Sequence, residues 1–214
     1  MKYPDDFVNK IICGDCLEVM KEMPEECVNL VLTDPPYGQG RAFIGDDLSD
    51  KELYDYLLPA FKQIVRVVKF NVLVDAPKNK LPIFFDLLKS LKYEYLIILH
   101  TTNDMRQGKV GFSAFSPVLW FSKEKRPINR YRDLIKANLE NTINHFRHPT
   151  PKNTTHYCQL IKMFSNENEL VFDPFLGSGT TVEACKEMRR NFIGIEINPD
   201  YCKIAEKRLA QGVL

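Results

Sequence analysis

Residues 169–198 read ELVFDPFLGSGTTVEACKEMRRNFIGIEIN, and this stretch narrows the fold more than any other. An apolar run stops on an acid, Asp173. A turn follows with glycines at 177 and 179, and Thr180 and Thr181 stand where a helix would begin. Threonine there supplies an oxygen to the free N–H groups of a first helical turn. A second apolar run ends on Glu196, nineteen residues beyond Gly177. Strand, glycine turn, helix and strand in this order make one unit of a parallel sheet. The spacing puts the second carboxylate at the tip of the neighbouring strand, where it can bond both hydroxyls of a ribose. The free N–H groups of the turn favour an anionic group such as a carboxylate. No lysine follows the second glycine, so this is no P-loop. Val182 occupies the place of the third glycine of a dinucleotide fingerprint. The pattern therefore predicts an adenosine-type ligand without a pyrophosphate.

The rest of the chain follows the same alternation. Strands are expected at 10–13, 28–33, 70–76, 95–101, 116–122, 169–174 and 192–197, and helices at 50–68, 80–91, 153–165, 180–190 and 199–210. The run at 116–122 follows another strand across a glycine-containing turn, so these two should pair antiparallel. The fold class is α/β. The 214 residues suit one domain over 1–214. Residues 123–150, rich in Asn, Arg, Pro and His, read as a small excursion from the sheet. The polar N-terminus is no signal peptide, and no apolar run approaches the ~18 residues of a membrane span. A soluble cytoplasmic protein is expected. Six cysteines without a second CxxC pair or a histidine cluster read as reduced, mostly buried thiols rather than a metal site. Between His100 and His156 ten Lys/Arg face four Asp/Glu, whereas the remainder is acidic. That asymmetry points to a polyanion at one face, with a solvated basic loop as the plain alternative.

A second stretch, TDPPYGQG at 33–40, stands directly after the apolar run VNLVL. Proline cannot continue a central strand, so the strand ends on a stiff corner. DPPY together with a later DPFLGSGTT resembles the S-adenosylmethionine-dependent DNA methyltransferases that modify exocyclic amino groups. The catalytic motif precedes the cofactor motif, which is the order of the permuted β class. IICGDCLEVMKEMPEECVNLVLTDPPYG, FSPVLWFSK and HPTPKN resemble further blocks of that family. Ser116 stands where the family has an acid, Pro151 where it often has glutamine, and Asn153 where it has proline. The resemblance implies a Rossmann-like fold with a seven-stranded, mostly parallel sheet, one antiparallel strand and circularly permuted motif order.

The resemblance also implies roles. An aromatic amine is a poor nucleophile because its lone pair is delocalised. Two acceptors aimed at its hydrogens free that pair: the carboxylate of Asp34 and the backbone carbonyl of Pro35. Pro35 and Pro36 fix φ and hold the corner, and Tyr37 stacks on a base flipped out of the duplex. For S-adenosylmethionine, Glu196 takes the ribose hydroxyls, and Pro174, Phe175, Gly177, Ser178, Gly179 and Thr180 run along the methionine portion. Asp173 orients the amino-acid end beside Asp34, Lys152 pairs with the methionine carboxylate, Asp15 and Cys16 lie near the adenine, and Ile197 packs on its ring. Asp15 reads equally as the N-cap of a helix. Arg41, Lys123, Lys125, Arg126, Arg130, Arg132 and Arg147 are candidate contacts to double-stranded DNA, with Tyr131 and Phe146 interleaved. His145, His148 and His156 read as structural, and no metal is needed. The short recognition segment suggests a homodimer, and a restriction endonuclease partner fits this family. Family members that act on the 4-amino group of cytosine tend to carry serine at position 34, so Asp34 tilts the expectation to adenine. RNA, a protein amide, or a non-catalytic nucleic-acid-binding module are the remaining readings.

Overall fold

The computed structural model describes residues 1–37, 48–102, 114–129, 131–138 and 152–211, with the backbone alone at 107–108 and 111–112. Ten strands and six helices lie among these residues. They are β1 (Lys10–Cys13), α1 (Cys16–Lys21), β2 (Val28–Thr33), α2 (Asp50–Val67), β3 (Val68–Asp75), α3 (Leu81–Leu87), β4 (Lys92–Thr102), β5 (Gln107–Gly108), β6 (Gly111–Phe112), β7 (Phe115–Ser122), β8 (Leu134–Asn138), α4 (Thr154–Phe164), β9 (Leu170–Asp173), α5 (Thr180–Glu187), β10 (Asn191–Glu196) and α6 (Pro199–Ala210). Eight strands form one sheet in the order β1-β10-β9-β2-β3-β7-β4-β8, and β5 pairs with β6 in a small hairpin. Within the large sheet β7 alone runs antiparallel to its neighbours.

Seven strands were expected, and the eighth is a correction. Leu134–Asn138 lies inside the segment read as an excursion, yet it pairs parallel to the far end of β4. Its Ile135 and Ala137 turn inward while the residues between face solvent. Five residues with two small inward groups do not stand out in an asparagine-rich stretch. Helix α1 was also not set out as an element, although Asp15 was recognised as a cap. Its carboxylate accepts the Leu17 N–H at 2.7 Å.

The sheet is buried on both faces, which is why its parallel strands read as almost unbroken apolar runs. Along β2, Val31 packs with α1, α2 and α3. Leu30 and Leu32 pack on the other face with α4, α5 and α6. Each such side chain withdrawn from water contributes on the order of 2 kcal/mol. Among the described residues no helix is long and apolar enough to cross a membrane. All six cysteines are free thiols, with Cys158, Cys185 and Cys202 buried and Cys13 exposed.

The parallel strands bring their carboxyl ends to one edge of the sheet. After β9 the chain builds outward toward β10, and after β2 it builds the opposite way toward β3. Between β9 and β2 the strand order therefore reverses. Helices leave to opposite faces at such a point and open a crevice where ligands of α/β proteins bind.

Candidate active site

Asp173, at the end of β9, is 2% exposed and ties the crevice together. Its Oδ1 accepts the Thr33 hydroxyl at 2.8 Å and the Phe175 N–H at 3.1 Å. Its Oδ2 accepts the Thr181 hydroxyl from the first turn of α5. Burial pushes this carboxyl up to about 6, against the pull of those hydrogen bonds. Asp173 thus joins the tip of β2 to the glycine turn, and the residue shapes the site by way of that turn.

The glycines of the turn are required. Gly177 and Gly179 have φ of 56° and 92°, the left-handed region that L side chains avoid. The Gly177 N–H donates at 2.8 Å to Glu196 Oε2, and the Asn198 N–H donates at 2.8 Å to Oε1. The carboxylate at the tip of β10 is therefore fixed by backbone on both oxygens. Burial raises its pKa, and the N–H groups oppose the rise. Beside it Ile197 is 48% exposed, an apolar side chain left open next to a fixed acid. On α2, Tyr56 is 42% exposed, and its phenol is raised first by burial and then by the charges of Cys16, Asp15 and Glu196. An acid held for a diol, with apolar and aromatic surface beside it, fits an adenosine.

Two side chains of the turn are engaged from below. Ser178 and Thr180 are buried, and their hydroxyls face Arg208 of α6 at 3.2 Å. Arg208, itself 2% exposed, also donates to the Ser178 carbonyl and pairs with Glu183. The underside of the turn is thus held by a buried guanidinium, so these two side chains support the turn and do not face the cleft.

The stiff corner after β2 lies one strand away. The Tyr37 hydroxyl donates to the backbone carbonyl of Asp75 at 2.6 Å, which fixes the ring against the end of β3. Lys152 Nζ stands 3.0 Å from Asp34 Oδ1 and 3.0 Å from Asp75 Oδ2, and donates to the Tyr37 hydroxyl at 3.3 Å. The Asp75 side chain is fully buried and also accepts from Ser116, with the Tyr157 hydroxyl at 3.5 Å. Asp34 Oδ1 is closed off from solvent, and Lys152 gives it no well-directed hydrogen bond among the described residues. The side chain as a whole remains 25% exposed, so its open surface lies on the other side. Burial, Asp75 and Asp173 push the Asp34 carboxyl well above the ordinary range, and Lys152 opposes them. Burial alone would lower Lys152, but Asp34 and Asp75 outweigh it and hold the ammonium above its usual value.

Lys152 thus sits on two carboxylates at the carboxyl edge of the sheet, where the sequence suggested a methionine carboxylate. The reason is local. Asn153 caps α4, accepting the His156 N–H at 3.3 Å, and anchors the helix start to the Asn138 carbonyl at 2.7 Å. The residue before the cap is thereby aimed at the end of β3. Asn153, which departs from the family's proline, does the work of a cap. His156 is buried with Nε2 3.1 Å from the His100 carbonyl, a structural role as expected.

The candidate DNA contacts divide. Lys123 pairs with Glu26 at 3.0 Å and Arg126 with Glu169 at 2.9 Å. Both acids stand at the amino ends of their strands, so these two cations lie at the sheet edge opposite Asp34. They are drawn there because β7 runs antiparallel and delivers residues after Ser122 to that edge. A groove of about 360 Å³ lined by Asn71, Glu94, Trp120 and Arg126 opens there too, away from the acids of the cleft. Arg132 is exposed before β8, beside Tyr131. Arg41, Arg130, Phe146 and Arg147 lie outside the described residues, as do His145 and His148.

Asp75, Tyr56 and Arg208 were not identified as site residues from the sequence. Asp75 had a readable signal: FNVLVDA is an apolar run ending on an acid, as the runs before Asp34, Asp173 and Glu196 do.

A family model described as DNA methylase, N6_N4_Mtase, matches residues 28–207. The chain belongs to this DNA methylase family. Among its relatives, the type II methyltransferase M.HpaI of Haemophilus parainfluenzae is 27% identical over 94% of this chain and 74% of its own length. The DNA adenine methyltransferase YhdJ of Escherichia coli is 28% identical over 93% of this chain and 82% of its own. The solved M1.HpyAVI–SAM complex superposes with a TM-score of 0.74 at 25% identity, covering 94% of this chain and 98% of the other. The cytosine-N4-specific PvuII DNA methyltransferase shares the fold, with a TM-score of 0.80 at 20% identity over 96% and 87% of the two chains. As a DNA methylase the chain is an enzyme, and the crevice between β9 and β2 is where its glycine turn and its DPPY corner meet.

Proposed function

We propose that this enzyme methylates the 6-amino group of adenine at a specific site in double-stranded DNA, with S-adenosylmethionine as donor. The observation that carries the reading is the placement of Asp34. It stands at the tip of β2, beside the switch point, with Thr33 bonded to the acid that begins the glycine turn. The motif order makes it a β-class member, and we place it in the cytoplasm as one domain over 1–214. The pairing into a homodimer and the matching restriction endonuclease belong to the same proposal, in keeping with the type II relative.

When bound, the donor supplies an electrophilic methyl group. Glu196 holds the ribose, Asp15, Cys16, Tyr56 and Ile197 surround the adenine, and the N–H groups of the turn from Phe175 to Gly179 meet the methionine portion. Arg41 and Arg132 remain our candidates for the DNA backbone. The open edge of Asp34 accepts one amine hydrogen and the Pro35 carbonyl accepts the other. With the lone pair freed, the N–C bond would form as the methyl–sulfur bond breaks and its electrons leave on a neutral thioether, and the methylated nitrogen, now acidic, would pass its proton to the Asp34 carboxylate that already holds that hydrogen, with no strong base needed. Tyr37 offers its ring to the flipped base. Flipping costs a few kcal/mol, and stacking returns about 1–3 kcal/mol of it. Positioning and fixed dipoles supply most of the acceleration.

The test is the product. Unmethylated duplex DNA is incubated with labelled S-adenosylmethionine and digested to nucleosides for mass spectrometry. 6-Methyladenine is expected. 4-Methylcytosine would keep the mechanism and replace the substrate, and no labelled base would overturn the reading. Asp34→Ala should lower the rate about 10²–10³-fold, the scale of losing a principal electrostatic contact, while donor affinity changes little.

A further inference from the structure

We propose that Lys152 and Asp75 are positioning residues for methyl transfer: Lys152, seated on Asp75, draws Asp34 toward its carboxylate form and keeps Tyr37 in place. The inference rests on the reading of Asp34 as the acceptor of an amine hydrogen. It begins from the charges that face Asp34. Asp75 approaches from β3, Asp173 from β9 and Lys152 from the cap of α4, with the hydroxyls of Tyr37 and Tyr157 nearby. Two carboxylates, Asp34 and Asp75, therefore converge on one ammonium, and Asp173 adds its negative charge from the side of Asp34. Two like charges at such range do not both ionise without compensation. A protonated Asp34 would present an O–H donor where an acceptor is needed.

The geometry makes Lys152 that compensation. It lies 3.0 Å from both Asp34 Oδ1 and Asp75 Oδ2. It touches the inner, closed oxygen of Asp34 and leaves the open side to a substrate. Asp75 is fully buried and anchored by Ser116, so it cannot follow a displaced lysine. The same acid takes the Tyr37 hydroxyl on its backbone carbonyl, and the ammonium lies 5.5 Å from the Tyr37 ring centre. One cation thus sets the acceptor and the stacking ring together.

The two residues make opposite predictions for the acid limb of the pH–rate profile, read in single turnover so that product release does not mask the chemistry. Lys152→Met removes the cation and leaves the carboxylates facing one another. The acid limb should move up by at least one pH unit, with the rate at pH 7 at least tenfold lower and recovering toward alkaline pH. Asp75→Asn removes one of the competing negative charges. The limb should move down, although the plateau falls because the anchor is weakened. Lys152→Arg keeps the charge and should hold the limb near its original position. Donor affinity, measured by titration, should change less than threefold in Lys152→Met.

A limb that stays in place in both variants, with only the plateau lowered, would overturn the inference. So would loss of donor binding in Lys152→Met with an unchanged profile, which would mark a contact to the methionine carboxylate. If Lys152→Met does not fold, Asp75→Asn decides alone: a downward shift supports the inference and an upward or absent one overturns it. Failure of the wild-type enzyme to label any base would remove the reading of the function, and is told apart by that control.

Discussion

At the scale of single residues, Gly179 shows how closely the cofactor half of the cleft is built. A Cβ there would lie 2.8 Å from the Ala205 side chain and 2.9 Å from the Ala205 backbone, and φ is +92°. The glycine is needed twice, for its backbone and for the approach of α6. Gly179→Ala should cost about 3 kcal/mol, combining left-handed strain with overpacking. For a chain of this length that is a fall in Tm on the order of 10 °C. Thermal melting checks it, and an unchanged Tm would show that α6 can shift without cost. Such a residue is legible in a sequence because it lies in a contiguous motif. Asp34 and Tyr37 are legible for the same reason. Lys152 is not, and Asp75 is legible only as an acid closing an apolar run, because their meaning comes from contact between segments 41 and 77 residues apart. Nothing local to position 152 says that it will lie between two acids. The resemblance named the residue and gave it the methionine carboxylate, not the two acids, as its partner.

At the scale of elements, the strands and helices were largely readable because both faces of the sheet are buried and apolar runs mark it. The failures have one cause. β8 and α1 are short, and each is held by neighbours more than by its own pattern. β8 leans on β4, and α1 leans on the Asp15 cap and on α2. Helix α6 lies where a helix over 199–210 is expected, and what Arg208 does within it was not foreseen. A buried arginine on that helix becomes the floor of the glycine turn, bonded to Ser178, Thr180 and Glu183 and, at 3.4 Å, to Thr154 of α4. Arg208→Ala removes the cation from Glu183, which keeps the Thr154 hydroxyl at 3.0 Å, and a donor from the Ser178 carbonyl; with Glu183 partly solvated the loss should be about 2 kcal/mol. Because the turn rests on it, affinity for S-adenosylmethionine should fall about tenfold together with Tm. Arg208→Lys should recover part of the stability and less of the binding, since one ammonium cannot span three elements. Titration calorimetry beside melting curves tests the coupling, and a variant that loses stability while binding the donor normally would refute it.

At the scale of the whole molecule, the parallel sheet sets a cost. It delivers Asp34, Asp75, Asp173 and Glu196 to one edge, and only Lys152 among the described residues forms an ion pair with any of them. A site that must receive a sulfonium cofactor and an amine gains from that negative edge, and the apo fold bears its repulsion and desolvation. The sign follows from Asp173, whose folded value is raised from 3.8 to about 6. A raised carboxyl binds its proton more tightly in the folded state. Its contribution is fully present below the unfolded pKa and is lost as pH rises through about 6. The shift corresponds to roughly 3 kcal/mol. Asp173→Asn keeps an acceptor for Thr33 and Phe175 but cannot ionise. Its stability relative to the wild type should therefore climb by a comparable amount between pH 4 and pH 7, read by urea denaturation in parallel. A flat difference across that range would mean that the Thr33, Thr181 and Phe175 donors compensate the buried charge in full. A difference that falls with pH would reverse the assigned sign and show that the acid edge stabilises the empty fold.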